Sequence, residues 1–125
     1  IIIALIAMIP AIGISQTGVV WSKFMVADTL TADTNVTIST SGIYSSWNVF
    51  FSVGTTTSTA STVKVQVSPD NSNWIDYANM ITQTLVTNTN FSFEDDYVSF
   101  RYMRFVFDIE AGESVPINGW YTFKK

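Results

Sequence analysis

A period of two limits this chain more than any other feature. In residues 62–68, Val63, Val65 and Val67 alternate with Lys64, Gln66 and Ser68. An extended backbone puts the valines on one side and the polar side chains on the other, a sorting that a helix of 3.6 residues per turn does not produce. Residues 47–53 repeat the pattern, with Trp47, Val49, Phe51 and Val53 interleaving with Asn48, Phe50 and Ser52. Runs rich in β-branched and aromatic residues predict further strands at 19–26, 35–39, 75–77, 82–86, 89–93, 97–108 and 115–123. Turn-forming residues punctuate them at Ser41-Gly42, Pro69-Asp70-Asn71 and Ala111-Gly112, and the tract 54–61 (GTTTSTAS) reads as a hairpin loop. Strands this short and closely spaced predict an all-β fold, an antiparallel β-sandwich or jelly-roll-like domain over residues 23–125.

Ahead of that domain, residues 1–22 carry no charge at all. Ile1, Ile2, Ile3, Leu5, Ile6, Met8, Ile9, Ile12 and Ile14 make the first part almost wholly apolar, and Trp21 closes it. As a helix the segment would reach about 33 Å, enough for a bilayer core, although Pro10, Gly13 and Gly18 interrupt it. It has the apolar stretch of a signal peptide and a small-residue site at Ala11-Ile12-Gly13, but no basic region in front. The remaining reading is an apolar arm, extended or helical, buried against neighbouring subunits. Exposing so continuous an apolar surface to water is unfavourable, so something must cover it. The expectation is an assembly of this chain with copies of itself and with other structural proteins, contact with lipid being the alternative.

Composition removes whole classes of function. Cysteine and histidine are both absent from the 125 residues, which excludes thiolate chemistry, disulfides and the commonest general base and metal ligand. Six basic residues against ten acidic ones leave a net charge of −4, the wrong sign for binding a phosphate backbone. No catalytic, cofactor-binding or metal-binding residues are assigned, and the chain is expected not to be an enzyme.

Four clusters merit a reading. The oxygen-rich run from Ser68 to Asp76 has the donors Ca²⁺ prefers, yet it lacks the central glycine and final glutamate of an EF-hand loop, so it reads as a Pro-Asp-Asn turn. Glu94-Asp95-Asp96 reads as a solvated turn, because catalytic carboxylate pairs sit on opposing elements. Arg101 and Arg104, three apart, fall on opposite faces of a strand, one of them within reach of an acidic neighbour such as Asp108. Trp21, Trp47, Trp74 and Trp120 could form a platform for stacking a surface glycan or act as core and interface anchors. Asn35-Val36-Thr37 and Asn90-Phe91-Ser92 are sequons, acceptors only in a suitable host.

Over roughly residues 35–125 the phrases WNVFFSVGTTT, VKVQVSPDNSNWIDY, FRYMRFVFDIEAGESVP and NGWYTFKK resemble small β-sandwich structural proteins of tailed phages. The shared pattern is S-x-D-x-x-x-W, here Ser68 to Trp74, followed by Y-x-R-F, here Tyr102 to Phe105. The resemblance implies a non-enzymatic subunit of a virion: a capsid decoration, head–tail or tail surface protein. The apolar start is similar instead to pilin-like subunits, in which an N-terminal helix precedes a β-rich head, although Leu5 stands where bacterial pilins carry glutamate. That similarity implies an extracellular filament. A membrane-anchored carbohydrate-binding surface module is the third alternative, and all three place the chain on a virion or an extracellular surface.

Overall fold

The computed structural model describes residues 21–39, 46–78, 80–96 and 100–124. The assembly residues expected between Ile1 and Ile14 lie outside the described residues, and Trp21 is the first within them. The alternating runs become strands with little change in extent. In chain order they are β1 (Ser22–Leu30), β2 (Thr34–Ser39), β3 (Ser46–Val53), β4 (Thr62–Ser68), β5 (Ile75–Asp76), β6 (Gln83–Thr84), β7 (Asn90–Asp95), β8 (Tyr102–Asp108) and β9 (Val115–Lys124).

All strand pairs are antiparallel. One sheet runs β1-β9-β3-β7; the other runs β2-β8-β4-β5, and β6 pairs with β4 beside β5. Two short pieces thus share one outer position, β5 against Gln66 and Val67, β6 against Thr62 and Val63. The chain crosses between sheets at nearly every connection, which is jelly-roll topology. The fold class is therefore an all-β sandwich, as the period of two predicted.

The core lies between the sheets and is aromatic at its centre. Phe51 of β3 meets Phe105 and Phe107 of β8 edge-on across the sandwich, at centroid distances of 5.1 and 5.7 Å. Phe24 and Phe91 pack on the same ring from β1 and β7. Val49, Val63, Val65, Met103, Val115 and Ile117 fill the inward positions around them. β1 reaches this core through a bulge: Lys23 and Met25 face Trp120 and Gly119, adjacent residues of β9, and so leave Phe24 as the extra residue.

Three local expectations are corrected. The tract 54–61 is not a hairpin, because β3 and β4 belong to different sheets and the tract carries the chain across the sandwich end. Glu94 and Asp95 are not in a turn; they continue β7, opposite Asn48 and Trp47 of β3. Arg101 precedes β8, so the two arginines do not share a strand. Arg104 points outward and donates from Nε to Gln66 Oε1 at 2.8 Å, with no bond to Asp108.

Candidate functional site

Alternation in β3 and β9 decides what the first sheet shows to the outside. With Trp47, Val49, Phe51 and Val53 turned inward, the outward row is Asn48, Phe50 and Ser52. Register then sets their neighbours. Phe50 lies between Trp120 of β9 and Ser92 of β7, while Asn48 lies between Thr122 and Glu94. The two rows are two residues apart along the strand, or about 7 Å.

The first row is aromatic. Trp21, Phe50 and Trp120 line an open depression of about 310 Å³. The Phe50 and Trp120 rings meet edge-on at 5.6 Å, and Lys23 Nζ sits 4.8 Å from the Trp120 ring centroid. Trp21 stays 46% exposed. The second row is polar and opens into a separate groove lined by Ser46, Trp47, Asn48, Glu94, Asp96, Thr122 and Lys124. Here three buried polar atoms have no hydrogen-bond partner: Trp47 Nε1, Asn48 Oδ1 and Thr122 Oγ1. No other buried side-chain nitrogen or oxygen among the described residues is left unpaired. Such groups are rare in folded proteins and costly, and here they converge on one groove.

The outer face of the other sheet is already occupied by its own contacts. Arg104 lies 4.3 Å over the Trp74 ring. Gln66 Nε2 donates to Asp76 Oδ1 at 2.8 Å, and Lys64 Nζ approaches the same oxygen at 3.3 Å. The Gln66 bond first, then Lys64, hold the Asp76 carboxyl below the usual carboxylate range. Asp33, in the polar groove beside Lys64 and Asp108, accepts from the Ile109 amide at 2.9 Å.

The remaining clusters are structural. Asp70 accepts from the amides of Asn73 and Ser72 at 2.8 and 2.9 Å and from Asn73 Nδ2 at 2.6 Å. These bonds, the Asn73 amide foremost, lower its carboxyl far below the ordinary value. The oxygens considered for Ca²⁺ are thus spent on the turn, whose Asn71 takes a φ of 64°. Asp95 Oδ2 accepts from the Tyr77 hydroxyl at 2.7 Å. Ser58 and Ser61 stand 2.6 Å apart near Glu110, an arrangement that suggests a nucleophile on paper. Both serines are buried, however, and Ser61 Oγ accepts from the Glu110 amide, so they tie loops together.

The four tryptophans therefore divide. Trp47 enters the core, Trp74 covers Arg104, and Trp21 and Trp120 remain on the open face. Alternation alone placed Asn48 outward; the meeting of Asn48 with Thr122 carried no sequence signal, since register across 74 positions creates it. Asn35 and Asn90 of the two sequons are both exposed.

No family model matches the chain. No curated protein matches it either. Among solved structures it is similar to one described as "CBM4 structure and function", at 17% identity and a TM-score of 0.41, over 83% of this chain and 66% of that one.

Proposed function

We propose that this chain is a non-enzymatic structural subunit, a jelly-roll domain displayed on a virion or a comparable extracellular particle and joined to its neighbours through residues 1–22. The observation that carries the reading is the uncharged segment itself, which runs directly into β1, an edge strand of the first sheet, at the exposed Trp21. Burying its large apolar side chains would contribute roughly 1.5–3 kcal/mol each before ordering costs. Against catalysis stand the carboxylates already engaged in turns and loops, at Asp70, Asp76 and Glu110.

Removing residues 1–20 tests the reading and leaves β1 intact from Ser22. The shortened chain should keep the β-sheet circular dichroism and thermal transition of the full protein, yet fail to join the parent particle. Normal incorporation of the shortened chain would refute assembly through this segment. Recovery of the full chain from purified virions, at a copy number matching their symmetry, supports the virion role. Recovery from sheared surface filaments would replace it with the pilin-like one.

A further inference from the structure

We propose that the outer face of the β1-β9-β3-β7 sheet is a binding site for a neutral saccharide, a function separate from assembly through residues 1–22. Two adjoining surfaces supply complementary halves of such a site. The row of Trp120 and Phe50, with Trp21 beside it, offers apolar ring surface to the C–H face of a sugar. One row further along, the groove holds the three unpaired atoms. Their chemistry is mixed. Trp47 Nε1 can only donate, Asn48 Oδ1 can only accept, and Thr122 Oγ1 can do either. A ligand that answers all three must present groups that both donate and accept within a few ångströms, which is what neighbouring sugar hydroxyls do.

Charge narrows the ligand class. Lys124 stands among the lining residues with Glu94 and Asp96, so an anion meets two carboxylates and a cation meets an ammonium. A neutral polyhydroxyl ligand meets hydrogen-bonding partners of both kinds. All three of those charged side chains are exposed, and exposed side chains change rotamer in picoseconds to nanoseconds, so they can admit a ligand to the buried atoms beneath. Trp47 is 2% exposed and packed between Tyr77 and Phe100. Its indole nitrogen is thus held in place by the core, and a bond made to it fixes the ligand's position rather than following it.

The test uses the full 125-residue chain, kept dispersed in a zwitterionic detergent that carries no sugar. Soluble oligomers of glucose, xylose, mannose and N-acetylglucosamine are titrated at up to millimolar concentration. The Trp47 indole N–H resonance and tryptophan fluorescence report binding. At least one oligomer should give a saturable response that moves the Trp47 indole signal. Asn48→Ala and Trp21→Ala, both outward-facing changes, should each weaken that binding by about tenfold, while Trp74→Ala on the opposite sheet leaves it unchanged. Absence of saturable binding across the set, with the Trp47 signal unmoved, would overturn the proposal and leave the groove to ordered water. Binding indifferent to both outward substitutions would overturn it as well. So would a change in self-association in Trp21→Ala without any sugar response, which would make the face a contact between copies of the chain.

Discussion

At Gly119 the absence of a side chain is what allows β1 to close over the first sheet. A Cβ at that position would stand 2.9 Å from two ring carbons of Phe24 and 3.0 Å from the Phe51 ring. Both rings are confined, Phe51 within the core and Phe24 by contacts with Phe51, Phe105 and Tyr121. Gly119→Ala therefore overpacks the sandwich and should destabilise it by about 1–3 kcal/mol. The urea midpoint should fall with the slope unchanged, and shortening the ring in Gly119→Ala with Phe24→Leu should restore part of the loss. A midpoint equal to wild type would show that Phe24 moves aside at no cost. This contact was hidden in the sequence. Strict alternation sets Phe24 opposite Met25, and only the bulge in β1 lets both serve the core.

Among the elements, the crossover between β3 and β4 shows how a low-complexity tract becomes ordered. Glu110, just past β8, receives the Thr59 amide at 3.1 Å, the Ser58 hydroxyl at 3.0 Å and the Ala60 amide at 3.2 Å. Thr56 Oγ1 donates to the Ser114 carbonyl at 2.6 Å, and Thr57 Oγ1 donates to the Glu113 carboxylate. Each hydroxyl or amide satisfied this way is one fewer unpaired group at the sandwich end. The bonds from Thr59, Ser58 and Ala60 lower the Glu110 carboxyl from its ordinary value of 4.5. A carboxylate lowered on folding stabilises the protein fully above its unfolded value, and that contribution is lost as pH falls through the folded one. The melting temperature should therefore drop on acidification below about 4.5, and the advantage of wild type over Glu110→Gln should shrink over the same range. Asp70 and Asp76, also lowered, will leave the variant some slope of its own. A constant gap between the two proteins down to low pH would refute the role given to the carboxylate. The Thr-Ser composition announced a loop here, but its anchor is 50 positions away and invisible to any local pattern.

For the whole molecule the topology governs how it forms. β9 must lie between β1 and β3, so that Tyr121 meets Ser22 from near the other end of the chain; β8 must likewise lie between β2 and β4. Closing such distant pairings costs entropy before any contact rewards it, which places refolding in the range of about milliseconds to seconds. Stopped-flow tryptophan fluorescence, with buried Trp47 as reporter, should show this slow phase; refolding complete in microseconds would contradict the assigned strand order. The sequence by itself determined which segments are strands and which side of each is buried, because the pleat sets a period of two that composition cannot disguise. Val63, Val65 and Val67 were bound to face the core whatever their partners. Only the tertiary structure decided which strands lie side by side, and hence that Asn48 would meet Thr122 and Phe50 would meet Trp120. Pairing is a property of register between remote segments, and a local pattern holds no record of it.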